Sequence, residues 1–147
     1  MRTLLAICLL VCVSCDPVLD YKQIIVNHSA ETLKWQIQSS DLNSYIEFPG
    51  EEYYYNEDSS LIHILLKVPP QSEKLIFYIS GIRQVYDIDS CHCDYNIQFI
   101  DSMYSIKKDI LNPTDWKLEI IEESNLTGGG IVECKFEISE NDLVKKE

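Results

Sequence analysis

The chain has 147 residues, of which 24 are Asp or Glu and 12 are Lys or Arg, so its net charge is −12 at neutral pH. A surface this acidic repels phosphate backbones and anionic lipid headgroups, which argues against nucleic-acid binding and against electrostatic attachment to membranes. Cations and basic proteins fit better as partners. The length suits one domain that can bury a core without many crosslinks.

The N-terminal residues have the pattern of a secretory signal peptide. One positive charge, on Arg2, precedes an apolar run from Leu4 to Val13 that is too short to span a bilayer. Small residues before the cleavage point give a signal peptide over residues 1–15, with the mature chain starting at Asp16 or, alternatively, at Cys15. No later stretch is suited to a membrane span. We therefore expect a secreted, extracellular protein.

Alternating apolar and polar residues predict β-strands in the rest of the chain. The N-terminal segment, residues 16–47, holds the first strands, and Leu33, Trp35 and Ile37 form the apolar side of one of them. Two β-rich runs, 61–68 and 74–80, flank Pro69-Pro70, which we interpret as a hairpin connection because proline cannot continue a ladder. Further strands are predicted at 95–101, at 116–120 and at 132–138. The apolar side of the second contains Trp116, Leu118 and Ile120, and that of the third contains Val132, Cys134, Phe136 and Ile138.

Turn residues separate these strands at short intervals. This pattern predicts an all-β fold, an antiparallel β-sandwich. The last segment, 139–147, is rich in charged residues and is predicted to be a frayed tail.

Three cysteines follow the predicted signal peptide: Cys91, Cys93 and Cys134. In an oxidising compartment they predict a disulfide that joins Cys134 to Cys93 or to Cys91, and the odd count leaves a free thiol, an intermolecular bond or retention of Cys15. The alternative is a zinc site at Cys91-His92-Cys93. On an extended chain His92 would point away from both cysteines, which favours the disulfide.

Two tripeptides match the N-glycosylation signal, at Asn27 and at Asn125, and we expect both asparagines at the surface. A catalytic role has less support. The histidines are His28, His63 and His92, and none falls in a nucleophile motif. The sequence therefore predicts a protein that is not an enzyme.

Several acidic residues offer the oxygen ligands that calcium prefers, although a solvated acidic face explains them equally well. They are Asp87, Asp89, Asp94, Asp101, Glu122 and Glu123.

Four segments, in order, resemble the CUB domain family. They are Phe48-Pro49-Gly50 with Tyr53-Tyr54-Tyr55-Asn56, then Leu66-Lys67-Val68-Pro69-Pro70, then Cys91-His92-Cys93-Asp94-Tyr95, and finally Ile120-Ile121-Glu122-Glu123-Ser124-Asn125 before Gly129-Gly130-Ile131. The resemblance covers residues 48–138 and implies an extracellular sandwich of jelly-roll type that acts by binding. A single such domain behind a signal peptide is similar to the small CUB proteins of insect venoms.

The resemblance also has departures. Ile62 and Ile64 replace the cysteine and tryptophan that many members have, and no cysteine lies near Ile110, so the resemblance implies Cys134 as the substitute partner. For calcium it implies Asp87, Asp94 and Glu123 as ligands, while Tyr86 stands where calcium-binding members have a glutamate.

These features together predict a secreted, non-enzymatic CUB-type protein that binds an extracellular protein target, as a venom or toxin component would. Two alternatives stay open. One is a carrier of a small apolar or cationic ligand in a secreted fluid. The other is a modulator of a CUB-containing secreted protease.

Overall fold

A computed structural model describes residues 19–39, 52–55, 62–82, 90, 91, 93, 96–123 and 130–147. Short 3-10 helices cover Pro113–Asp115 and Glu140–Asp142. The described part of the chain contains no helix that is long and apolar enough to cross a membrane. The described strands are β1 (Leu19–Asn27), β2 (Leu33–Ser39), β3 (Glu52–Tyr55), β4 (Ile62–Val68), β5 (Ser72–Ile82), β6 (Asn96–Phe99), β7 (Tyr104–Ile106), β8 (Lys117–Glu123), β9 (Gly130–Ile138) and β10 (Leu143–Lys145).

The strands form two four-stranded sheets and a small ribbon. Sheet A has the order β5-β1-β9-β8, sheet B has the order β3-β4-β2-β6, and β7 pairs with β10. The predicted all-β sandwich is confirmed. Neighbouring strands are antiparallel except in one described pair: β1 runs parallel to β9, in register from Leu19 opposite Gly130 to Asn27 opposite Ile138.

The core lies between the inward faces of the two sheets. Trp35 of β2 and Phe136 of β9 are both 0 % exposed, and their rings meet edge to face with centroids 5.9 Å apart. Phe99 and Trp116 pack around this pair. Full burial of such side chains contributes about 1.5–3 kcal/mol each, so this aromatic group helps to hold the two sheets together. The predicted inward alternation of β2 and β9 is confirmed.

The predicted hairpin at Pro69-Pro70 is wrong. β4 belongs to sheet B and pairs with β2 and β3, whereas β5 belongs to sheet A and pairs with β1. The two prolines therefore mark a crossover from one sheet to the other. Gln71 in this turn has a φ of 51°, and its side-chain amide donates to the backbone oxygen of His28 at 2.6 Å, which helps to hold the uncommon conformation.

The predicted frayed tail is also wrong. Ser139 begins a capping box with Asp142, and β10 then pairs with β7 through Leu143 opposite Ile106. Burial opposes ionisation of Asp142, but hydrogen bonds from Ser139 and the charge of Lys108 outweigh it and lower the pKa of the carboxyl. The charged composition of this segment therefore supplies caps and ion pairs rather than disorder.

Candidate functional site

The disulfide joins Cys91 to Cys134. Both residues are buried, at 2 % and 0 % exposure, and the bond ties β9 of sheet A to the segment that precedes β6 of sheet B. Of the two predicted pairings the structure has the one with Cys91, and Cys93 lies half-buried outside this bond. A disulfide sulfur is not a thiolate, so a zinc site that uses Cys91 does not fit this structure.

Asn27 is not at the surface, so the expectation that this asparagine is exposed is wrong. Its side chain is 0 % exposed, and Nδ2 donates to the backbone oxygens of Glu31, Val68 and Pro69 at 2.7, 3.0 and 2.9 Å. Oδ1 accepts from the backbone nitrogen and the hydroxyl of Ser29. A glycan on Nδ2 has no room here, because the amide ties the end of β1 to the crossover turn. Asn125 lies outside the described residues.

The predicted calcium ligands lie largely outside the described residues. This holds for Asp87 and Asp94, and Glu123 is described only as the last residue of β8. The flanking strand ends share one end of the sandwich, since Leu19 is opposite Ile82 and Gly130, and Gly130 is opposite Glu123. The described residues contain no group of three or more metal-binding side chains. The calcium site stays a prediction.

Asp101, another acidic residue that could offer calcium an oxygen, is buried in a turn. It is 6 % exposed, and its Oδ1 accepts from the backbone nitrogens of Met103 and Tyr104 at 2.8 and 3.1 Å. The carboxylate therefore closes the turn before β7.

Strand β8 is an edge strand with an exposed apolar centre. Ile120 and Ile121 are 60 % and 53 % exposed, and none of the described strands pairs with the outer edge of β8. A β-bulge lies between Ile120, opposite Val132, and Glu122, opposite Ile131. An exposed strand edge offers backbone donors and acceptors to an added strand. The sequence predicted this strand but placed Ile120 on its buried side, since alternation does not reveal which strand is at an edge.

The outward face of sheet A carries a row of ion pairs, here named the ionic ladder. Lys22 of β1 contacts Glu133 of β9, Lys135 contacts Glu133 and Glu119, and Lys117 of β8 contacts Glu119 and, at 4.0 Å, Glu137. Hydrogen bonds from Lys117 and Lys135 lower the pKa of Glu119 to about 2. The same contacts raise the pKa of both lysines. The ladder joins three strands across the sheet.

The outward face of sheet B has a different composition, here named the amide face. Gln36 Nε2 donates to His63 Nδ1 at 2.6 Å across β2 and β4, and Asn96 Nδ2 donates to Gln38 Oε1 across β6 and β2. An amide nitrogen only donates, so Nδ1 of His63 accepts in this contact. The name covers Gln36, Gln38, His63, Asn96 and Gln98, which share this side of the sheet with Lys34, Leu65 and Lys67.

Comparison of the chain with protein-family models, with curated proteins and with solved structures gives no match. The fold and these surfaces define an all-β sandwich tied by a buried disulfide. The likeness to CUB domains consequently depends on the four sequence segments alone.

Proposed function

We propose that this chain is a secreted, non-enzymatic binding protein of CUB type that recognises an extracellular protein by adding a strand of that protein to β8. The observation that carries the proposal is the exposed pair Ile120 and Ile121 on an edge strand. Apolar side chains at an open edge supply binding energy when a partner buries them. The unpaired backbone groups of the edge determine the register of the added strand.

The charge of the chain defines the chemistry of the added strand. The net charge is −12, and in the sequence of β8 the two isoleucines are followed directly by Glu122 and Glu123, while Glu119 is paired with Lys117 and Lys135. A partner segment with apolar residues flanked by lysine or arginine matches both the isoleucines and this acidic surrounding, and charge complementarity speeds association. An acidic partner segment would be repelled.

The two alternative functions have less support. The described centre of the core is filled by large side chains, with Trp35, Phe136, Leu66 and Ile25 each 0 % exposed. A ligand carrier therefore finds no support in this part of the molecule. A modulator of a secreted protease and a venom component would both act by binding a protein. The tissue that secretes the chain would distinguish these two roles.

A random-peptide display library tests the β8 proposal directly. The chain is expressed in secreting cells, and sequencing of the secreted N-terminus should give Asp16 or Cys15 as the first residue. Panning against the immobilised product should enrich extended peptides that combine apolar and basic residues. Ile121→Lys should weaken their binding at least about fivefold, since an interface anchor contributes more than about 1 kcal/mol.

Val144→Lys is the matched control. Val144 of β10 is 42 % exposed, so this substitution places the same new lysine on a different strand. Substitution at either exposed site changes folding stability by less than about 0.5 kcal/mol, so both variants remain folded. Enrichment that is equal in the two variants, or no enrichment with the original chain, would refute strand addition at β8.

A further inference from the structure

We propose that Asn27 is a modification site of the unfolded chain only. An N-linked glycan is added there before β1 is covered, and afterwards the glycan and the native fold exclude each other. The inference rests on the secretion part of the proposed function, because N-glycans are added in the secretory pathway, and it does not depend on binding at β8. The tripeptide alone does not distinguish an accessible asparagine from a buried one.

Both functional groups of the glycosylation signal are covered in the folded chain. Asn27 and Ser29 are fully buried. The hydroxyl of Ser29, which the signal requires, lies 2.7 Å from Asn27 Oδ1 and 3.3 Å from the backbone oxygen of Glu31. A transferase that must contact the asparagine and the hydroxyl together therefore reaches neither of them after folding.

The hydrogen bonds of Asn27 need the unmodified amide. Its two N–H hydrogens are shared among the backbone oxygens of Glu31, Val68 and Pro69. Transfer from a lipid-linked pyrophosphate donor forms a bond between Nδ2 and the first sugar carbon. The bond from that carbon to the donor phosphate breaks, its electron pair leaves with the pyrophosphate, and Nδ2 loses one hydrogen as a proton. The modified amide keeps one hydrogen for three oxygens, so it cannot hold the crossover turn.

The groups that cover Asn27 come later in the chain. Val68 and Pro69 follow it by 41 and 42 residues, and Gln71, whose side chain donates to the backbone oxygen of Ser29, follows Ser29 by 42. At synthesis rates of about 5–20 residues per second, the signal is made roughly 2–8 s before these residues. Modification and folding therefore compete for the same amide, and early closure of the crossover turn protects it.

Glycan occupancy of Asn27 in folded and unfolded forms of the chain tests the inference. The chain is expressed in secreting cells, and released and retained protein are each treated with peptide-N-glycosidase, which leaves an aspartate wherever a glycan was attached. Peptide mass spectrometry measures the aspartate fraction at position 27 against an untreated portion. Released protein should be almost entirely unmodified there. Occupancy should be at least about fivefold higher in the retained protein, because each buried backbone oxygen without its donor disfavours the fold by about that factor or more.

A variant that cannot fold extends this test. Trp35→Asp places a carboxylate at a fully buried core position and prevents folding, while the signal at Asn27 is unchanged. Its occupancy at Asn27 should rise severalfold over that of the original chain. Val144→Asp is the matched control, since the same carboxylate at an exposed residue of β10 leaves the fold intact and should leave the occupancy unchanged. Ser29→Ala combined with Trp35→Asp should abolish the modification.

Two results would overturn the inference. One is a Trp35→Asp chain that has lost its signal peptide and is still unmodified at Asn27. The other is released, folded protein that carries a glycan on Asn27. Retention of the signal peptide by all variants would instead refute secretion itself, and with it both proposals. Peptide selection at β8 has no influence on any of these measurements.

Discussion

The two sheets use the polar side chains of their outward faces in opposite ways. On sheet A, lysines and glutamates alternate across β1, β9 and β8 and neutralise one another. On sheet B, two cross-strand hydrogen bonds join Gln36 to His63 and Asn96 to Gln38, and charged pairs are absent from these contacts. The difference teaches that charged side chains pair across the strands of sheet A, whereas most amide groups of sheet B are unpaired within the described structure.

Loss of the disulfide should have the largest effect on stability, because this bond connects β9 of sheet A to the segment that precedes β6 of sheet B. Its cysteines are 43 residues apart, so Cys91→Ala combined with Cys134→Ala should lower the free energy of unfolding by about 2–4 kcal/mol. Urea denaturation measures this loss. Cys93→Ala is the control, since it keeps the Cys91–Cys134 bond. An equal loss in the control would mean that the bond does not act as a tie between the sheets.

Asn27 is the second tie between the sheets, at the crossover turn. Asn27→Ala should destabilise the fold by about 1–3 kcal/mol, because Val68, Pro69 and Glu31 lose the donor of their backbone oxygens. Thermal unfolding measures the change, with the exposed Asn141→Ala as its comparison. Equal melting temperatures for the two variants would contradict the role of Asn27.

If Asn27 carries no glycan, Ser29→Ala should lower the mass of the secreted protein only by the oxygen atom that the substitution removes.

Acid titration tests the ion pairs on the outward face of sheet A separately from the amides of sheet B. The pKa of Glu119 is lowered from 4.5 to about 2 by its lysines, so its stabilisation is complete above about pH 4.5 and is lost as the pH falls through about 2. Glu119→Gln should remove this part of the acid dependence and reduce the effect of salt. The change is small, since its partner Lys117 is 59 % exposed and surface ion pairs are weak. A variant whose unfolding between pH 4.5 and 2 matches the original chain would contradict the ladder.

The smallest effect on stability is expected on sheet B. Gln98→Val should change the free energy of unfolding by less than about 0.5 kcal/mol and leave the acid and salt dependence as they are, because the side chain is exposed and makes no hydrogen bond within the described structure. Denaturation at two salt concentrations checks this. A loss that exceeds that of Glu119→Gln would show that the amides also serve the sheet, and the contrast between the faces would disappear.

Sequence predicted those features that depend on neighbouring residues. Alternation located β2 and β9 and identified Trp35 and Phe136 as inward residues, which burial confirms. It also located the break at Pro69-Pro70. It did not reveal that β4 and β5 lie in different sheets, since turn residues show where a chain turns and not which strand it pairs with next.

The candidate surfaces were harder to predict because they depend on distant pairing. The tripeptide at Asn27 matches a glycosylation signal, yet contacts with residues 68 and 69 bury its amide. Ile120 is exposed because β8 lies at an edge, and the amide face arises only when β4 and β6 flank β2. Two predicted calcium ligands, Asp87 and Asp94, lie outside the described residues.

The parallel pairing of β1 with β9 also determines when sheet A can be completed during synthesis of the chain. Lys22 and Glu133, which pair across these strands, are 111 residues apart, so β1 keeps one edge open until nearly the whole chain has been made. The disulfide waits for the same strand, because Cys134 lies in β9. Contacts this distant in sequence slow folding. A chain that stops before β9 therefore exposes β1 and leaves Cys91 without its partner, and synthesis of the final strands commits the entire protein to its fold.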